Sequence, residues 1–191
     1  EAPAAEMLAA LRGAAEAEGA ALAVLDPAER EGLADLIAEG DAELWADPRW
    51  RRELAMWMHP RRMGDGLAMP GAVVPVARFA VRHFDMGARV GTQDAERARA
   101  APVVAVLGTS GDAERDRMAA GMALARVLLV AAGAGLQAGY LNQPLQAAHL
   151  RPKVQALVPA AGVPQAVLCL GRPDEPPDPA PRRPLGEVLF G

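Results

Sequence analysis

The most sustained pattern of apolar and polar positions runs from Pro102 to Pro144. Pro102 to Leu107 (PVVAVL) is uninterrupted and apolar, the signature of a buried strand. Gly108-Thr109-Ser110-Gly111 then supplies turn residues, and Asp112 stands where it could cap a following helix. Met118, Met122, Ala125, Leu128, Leu129 and Ala132 recur at three- and four-residue spacing, which marks one apolar face of a helix. Gly133 and Gly135 end that helix. Leu136 to Leu141 is a second short apolar run, closed by Asn142-Gln143-Pro144. The pattern predicts strand, long helix, strand. A helix of about 20 residues spans about 30 Å, enough to cross a small domain. The small residues Ala119, Ala120, Gly121 and Ala123 would let another backbone approach closely, as in a core or subunit-interface helix.

Before this unit, Met7, Leu8, Leu11 and Ala15 make one face of a helix over Ala4 to Glu18, ended by Gly19. Ala20 to Leu25 reads as a strand. Pro27 opens a helix over Ala28 to Gly40, and Asp47-Pro48 opens another, with Trp50, Leu54, Trp57 and Met58 on one side. Pro60 to Gln93 mixes Gly, Pro, Met and Arg without a sustained period. It reads as a long excursion with short helical pieces, of the kind that serves as a lid or binding loop. Arg97 to Ala101 leads into the central unit. After it, Ala147 to Leu157 reads as a short helix and Gln165 to Leu170 as a strand. Gly171 to Pro184 is a proline-rich arm unsuited to helix or central strand. Leu185 to Phe190 is a short apolar tail expected to pin against something. Short strands interleaved with helices predict an α+β or α/β fold in three layers, a small sheet between helices.

Length changes this picture little: 191 residues suit one domain. A hydrophobic content of 51% with 23% charged residues is that of a folded globule. The net charge of -4 gives no nucleic-acid footprint. A single cysteine, Cys169, excludes an intrachain disulfide framework and suits a reducing, cytoplasmic setting. No apolar run reaches the roughly 18 residues of a membrane span. The acidic, alanine-rich start does not resemble a secretory leader. A first residue of Glu1 rather than Met fits a processed product, a trimmed chain or one part of a longer polypeptide.

Candidate chemistry is sparse. Gly133 to Gly139 (GAGLQAG) imitates a dinucleotide fingerprint, but its glycines close a helix and open a strand, the reverse of the required order. Gly108 to Gly111 follows a strand and precedes a helix, so it is either a plain turn or a loop presenting N–H groups to an anion or ring. It has no GK-S/T and is not a Walker loop. His59, His83 and His149 have no ligand spacing, and no metal is expected. Cys169 reads as a small core residue, and Ser110 lacks the setting of a hydrolase nucleophile. The carboxylates Glu16, Glu18, Glu39, Asp41 and Glu43 read as solvated helix surface. Arg182-Arg183 stands out in an otherwise acidic arm. Two adjacent guanidinium groups suit phosphate oxygens, or they pair with Asp174, Glu175 or Asp178.

Taken in order, WADPRWRRELAMWM (45 to 58), GTSGD (108 to 112) with GMALARVLLVAAGAGLQAGYLNQP (121 to 144), and LCLGRPDEPPDPAPRRPLGEVL (168 to 189) resemble the nitroreductase superfamily. The resemblance is strongest to the second half of the Acg-like actinobacterial branch, in which two nitroreductase-like halves are fused. It implies a three-layer α+β fold whose small, mainly antiparallel sheet lies between helices, with a long central interface helix. One such domain would fill residues 1–191, with 60–93 as a possible lid and 171–191 as an arm wrapping a partner. It also implies FMN at a dimer or pseudo-dimer interface.

Carried over residue by residue, Leu141, Asn142, Gln143 and Pro144 match the segment along the flavin's reactive edge. Arg182 and Arg183 match the basic pair that binds the FMN phosphate. Gly108, Thr109 and Ser110 would border the ring. The family's N-terminal signature R-R-x-x-R-x-F/Y has no match in Glu1 to Glu18, where Arg12 is alone. Arg78 to Phe84 (RFAVRHF) is superficially similar but falls in the excursion.

The implied activity is hydride transfer from NAD(P)H through the flavin to an electrophilic small-molecule acceptor, with no catalytic acid or base side chain required. FMN sequestration without turnover, and a flavin-free half that completes a partner's interface, are the alternatives. The implied partner is a second copy or a second nitroreductase-like half, with no nucleic acid and no membrane.

Overall fold

A computed structural model describes residues 3–60, 67–175 and 182–189, and every structural statement below concerns those residues. In chain order the elements are α1 (Ala5–Glu16), β1 (Ala21–Val24), α2 (Pro27–Ala46), α3 (Pro48–Met56), β2 (Met58–Pro60), β3 (Leu67–Met69), α4 (Val74–His83), α5 (Gly87–Ala100), β4 (Val103–Thr109), α6 (Glu114–Gly133), β5 (Gln137–Tyr140), α7 (Gln143–Gln146), α8 (Arg151–Leu157), β6 (Val163–Gly171) and α9 (Leu185–Val188). They form two compact units: Glu1–Ala42 with Ala88–Asp174, and Glu43–Gly87 with Glu175–Gly191.

The first unit is built on a four-stranded sheet in the order β1-β4-β6-β5, every neighbouring pair antiparallel. β4 is buried at all seven positions, as its unbroken apolar run requires. Its alternate residues feed two cores. Val103, Ala105 and Leu107 face α1 and α6, together with Leu22, Ala166, Leu168 and Leu170. Val104 and Val106 face the other side with Leu33 and Ile37 of α2, Ala95 and Ala98 of α5 and Val154 of α8. The expected α+β, three-layer architecture around a small antiparallel sheet is therefore the one observed.

The second unit holds α3, capped by the Asp47 carboxylate accepting from Arg49 N–H at 2.7 Å. It also holds a parallel β2–β3 pair with Met58 opposite Leu67, α4, and the one-turn α9. Trp45 and Trp50 meet edge to face at 5.5 Å. The Arg51 guanidinium donates to the Trp45 carbonyl.

Several expectations need correction. α2 does not end at Gly40 but runs on to Ala46. The excursion assigned to Pro60–Gln93 contains an unforeseen strand pair, and its end is already α5, a regular helix of 14 residues. Residues 61–66 of that excursion, and 176–181 and 190–191 of the arm, lie outside the described residues. The helix expected over Ala147–Leu157 begins only at Arg151, after a separate turn of helix at Gln143–Gln146. Leu185 and Leu189 are exposed, so among the described residues the tail is not pinned by burial.

On α6 the apolar face that the period marks points outward: Met118, Met122 and Leu129 are 65%, 57% and 74% exposed. The buried face consists of Ala120, Ala123, Val127 and Ala131. Small side chains are chosen there because α1 packs closely against α6 within one core. No described helix is long and apolar enough to cross a membrane.

Candidate functional site

The predicted site residues of the first unit lie at one end of its sheet. β4 and β5 both run antiparallel to β6 and so end toward the same end of the sheet. At the end of β4, Gly108 packs backbone to backbone on residues 161–163. A Cβ on Gly108 would lie 2.1 Å from the Ala161 carbonyl oxygen and 2.7 Å from that of Val163. Only glycine fits this approach. Thr109 is buried, and its hydroxyl is used internally: Oγ1 donates to the Gly111 carbonyl at 2.8 Å and accepts from Gln165 Nε2 at 2.9 Å. Ser110 is exposed. Thr109 and Ser110 line a cavity of about 350 Å³ with Ala20, Pro159 and Gly162.

At the end of β5, Leu141 N–H donates to the Val167 carbonyl at 3.1 Å. Asn142 Oδ1 accepts from Val167 N–H at 2.8 Å, extending the ladder with a side chain. The Asn142 carbonyl accepts from Leu145 and Gln146 N–H, which starts α7. Pro144 sits in the first turn of that helix, where it lacks nothing the helix needs. The N–H groups of Asn142 and Gln143 stand outside the ladder and before the first helical bonds.

A β-bulge in β6 lies opposite the end of β4. Leu107 faces Ala166 while Gly108 faces Pro164, so Gln165 is the extra residue. Its amide donates to Thr109 Oγ1 and to Asp112 Oδ1 (3.2 Å). Asp112 also receives both terminal nitrogens of Arg151, at 2.8 and 3.0 Å. The Arg151 fork and the Gln165 amide hold the Asp112 carboxyl well below the usual carboxylate range. Asp112 therefore does not cap α6, as was expected. That service comes from Asp116, which accepts from Ala113 N–H at 2.9 Å. A cleft of about 340 Å³ opens here, lined by Asn142, Leu145, Gln146, Arg117, Arg151 and Gln165. Arg117, Arg151 and Gln165 are absent from the sequence-based list. The bulge that aims Gln165 leaves no mark in a strand pattern, and the Arg151–Asp112 pairing joins residues far apart in the chain.

Beneath Gln143 lies a carboxyl pair, of which sequence reading placed Asp41 on the solvated helix surface and did not single out Asp94. Asp41 is only 2% exposed and Asp94 only 7%. Gln143 Nε2 donates to Asp94 Oδ2 at 2.7 Å, and Arg97 donates to Asp94 Oδ1. Burial, and then the Asp94 charge, push Asp41 up to about 6.

Arg182 and Arg183 belong to the second unit, where both are exposed just ahead of α9. Cys169 is half-buried in β6, and burial raises its thiol to about 11, as suits an inert packing residue.

No family model matches the chain. Among solved structures, an FMN- and NADPH-dependent nitroreductase from Sphigopyxis sp. strain HMH superimposes with a TM-score of 0.61 at 18% identity, covering 100% of this chain and 91% of that one. The fold is that of a nitroreductase. This nitroreductase-like chain is also similar to an iodotyrosine deiodinase bound to FMN and 3-iodo-L-tyrosine, with TM-score 0.59, 17% identity and coverage of 100% and 89%. A nitroreductase with bound FMN from Bacteroides fragilis follows, with TM-score 0.55, 12% identity and coverage of 100% and 89%. An uncharacterized Mycobacterium tuberculosis protein is 28% identical over 188 residues, 94% of this chain and 54% of its own length. A second protein of that organism, provisionally named an NAD(P)H nitroreductase, is 30% identical over 165 residues, 81% of this chain and 46% of its own. The nitroreductase-like chain thus spans about half the length of the curated relatives it matches. Relatives and fold neighbours both support the nitroreductase superfamily.

Proposed function

We propose that this chain is an FMN-binding, nitroreductase-like oxidoreductase module, corresponding to the second half of an Acg-like protein and completed by a second copy or a second half. The observation that carries this reading is that Gly108–Ser110 and Leu141–Pro144 follow two strands that flank β6 and run in the same direction toward one end of the sheet, within a fold shared by solved proteins that bind FMN.

The residues present fit that group. The N–H groups of Asn142 and Gln143 stand outside the sheet ladder, and the cleft beside them is walled by amides and by guanidinium groups. Such donors suit an anionic, acceptor-rich ring. FMN would supply hydride acceptance from a nicotinamide donor and delivery to an electrophilic acceptor. The chain would do the rest. Leu141 to Pro144 would lie along the reactive edge, and the Asn142 and Gln143 backbone N–H groups would stabilise negative charge there. Gly108, Thr109 and Ser110 would border the ring. Arg182 and Arg183 would take the phosphate with bidentate, charge-assisted bonds.

The outward apolar face of α6 supports a partner, since Met118, Met122 and Leu129 are large residues left to solvent on one helix. The half-length match to the curated relatives supports a fused second half as that partner.

The test is the absorption spectrum of the purified chain after incubation with FMN, before and after NAD(P)H. A bound flavin band that bleaches supports the oxidoreductase. A band that persists favours storage, and no bound flavin overturns the reading. Replacing Arg182 and Arg183 with Ala should weaken FMN binding by at least about tenfold, the scale of one charged hydrogen bond.

A further inference from the structure

The reading above uses the backbone of the 142–144 turn and leaves the Gln143 side chain without a role. That side chain is turned inward. Its Nε2 donates to Asp94 Oδ2 at 2.7 Å, and its Oε1 is buried with no partner. Asp94 is only 7% exposed and sits on α5, 49 residues away in the chain. Its other oxygen, Oδ1, accepts from Arg97, one turn further along the same helix. The carboxylate thus has a donor on each oxygen. Arg97 is largely exposed and can turn to water instead. Without Asp94 the inward end of the Gln143 side chain loses the hydrogen bond that aims it.

The pieces around this bond are packed backbone to backbone. A Cβ on Gly91, three residues before Asp94 on α5, would lie 3.0 Å from the Ala38 carbonyl oxygen and 3.1 Å from Ala38 Cα. α5 is therefore seated directly on α2. Two residues further along α2, a Cβ on Gly40 would lie 2.9 Å from the Gln143 carbonyl carbon and 3.0 Å from Pro144 N. α5 and the turn share one bed, which sets where Asp94 stands relative to Gln143. Close packing sets the distance, and the hydrogen bond sets which way the side chain points.

We propose that Asp94 is the positioning residue of this site: from α5 it draws the Gln143 side chain inward, so that the turn offers a ligand the Asn142 and Gln143 backbone N–H groups and not the Gln143 amide. Its consequence for FMN rests on reading that turn as the flavin-edge segment. Asp94 touches no ligand itself and acts through Gln143. Backbone donors fixed in this way need no rearrangement when negative charge arrives beside them. Freed from Asp94, the Gln143 side chain loses its fixed direction, and the turn loses its polar tie to α5.

The test uses Asp94→Asn, Asp94→Ala, Gln143→Ala and the double Ala variant, each in the full chain. Asn keeps one acceptor oxygen, which stays with Gln143 while Arg97 turns to water, whereas Ala keeps none. Hydrogen exchange without FMN is read at Leu145 and Gln146, whose N–H groups bond to the Asn142 carbonyl and so report on the turn. Both amides should exchange about tenfold faster in either single Ala variant, the scale of one charged hydrogen bond. They should exchange no faster again in the double variant and at the wild-type rate in Asp94→Asn, with β4 amides protected throughout. FMN affinity should follow the same order, falling about tenfold in either single Ala variant. It should fall no further in the double variant and hold in Asp94→Asn.

Losses that add in the double variant mean that Asp94 does not act through Gln143, and they overturn the proposal. Unchanged exchange in Asp94→Ala overturns it too, as does an Asp94→Asn turn as loose as that of Asp94→Ala. If Asp94→Ala does not fold, Gln143→Ala decides: faster exchange there, with wild-type exchange in Asp94→Asn, upholds the proposal, and unchanged exchange overturns it. The expected exchange pattern in a chain that binds no FMN upholds the positioning role and overturns the flavin reading. FMN binding with no change in exchange does the reverse.

Discussion

Asp112 accepts both terminal nitrogens of Arg151, at 2.8 and 3.0 Å, although 39 residues separate them. This fork ties the loop after β4 to the start of α8, and Gln165 ties both to the bulge in β6. Arg151→Met should loosen the loop without unfolding the sheet. Amide exchange at Gly111 and Asp112 should quicken about tenfold while β4 amides stay protected. The sign with pH follows from Asp112 being depressed in the folded state. Its stabilisation is present above the unfolded value of about 3.8 and is lost as pH falls below it. The stability gap between wild type and Asp112→Asn should therefore hold steady from neutral pH to about pH 5, then close in more acid solution.

Gly108 and Gly121 make a matched pair for the backbone argument. Gly108→Ala forces a methyl to 2.1 Å from the Ala161 carbonyl oxygen. It should cost about 1–3 kcal/mol or more in urea unfolding, the range for overpacking. Gly121 lies mid-helix in α6, is exposed, and would meet nothing within 4 Å. Gly121→Ala should gain roughly 0.5–1 kcal/mol from helix propensity.

These two glycines also show what the sequence could and could not tell. The unbroken run at Val103–Leu107 and the turn residues behind it are strong local signals, and β4, α6 and β5 follow from them. Gly40 reads as a helix end, but it serves close packing on Gln143 and Pro144, so α2 continues. α5 is missed because its inward side is Ala95, Ala98 and Gly91, too small to give an apolar period. On α6 the period is real but marks the outer face, because the core there admits only small side chains. Asp41 follows Glu39 and precedes Glu43 in a polar stretch, and nothing local says that it faces Asp94. Long-range polar pairings of this kind come only with the fold. Leu141 to Pro144 is singled out as a candidate by resemblance alone, whereas Gly108 to Gly111 also draws attention by its place between a strand and a helix.

Asp41 should leave a mark on stability. Its folded value of about 6 lies above the unfolded 3.8. Between those values the native state holds the extra proton, so unfolding free energy falls as pH rises through the window. The fall should reach at most roughly 3 kcal/mol at 1.36 kcal/mol per pH unit. Asp41→Asn should show no fall there. Denaturant unfolding at about pH 4 and about pH 7 measures both proteins, and parallel pH profiles for the two would refute the assignment.

The outer face of α6 should drive association. Leu129 is 74% exposed and Met122 57%. If this face meets a second copy, sedimentation should give a dimer for the wild type and a monomer for Leu129→Asp. A buried charge without a partner costs several kcal/mol, enough to dissociate a modest interface. A monomeric wild type would leave the fused second half as the occupant of this face.

The central claim is that Leu141 to Pro144 and Gly108 to Ser110 border a flavin. The most direct measurement is FMN added to the isotope-labelled chain, with amide shifts followed residue by residue. The account predicts saturable shifts concentrated at Gly108–Ser110 and at Leu141, Asn142 and Gln143, with Arg182 and Arg183 moving in step. Saturable binding that shifts other surfaces and leaves the 141–143 amides still would contradict it, as would the absence of any shift at high FMN.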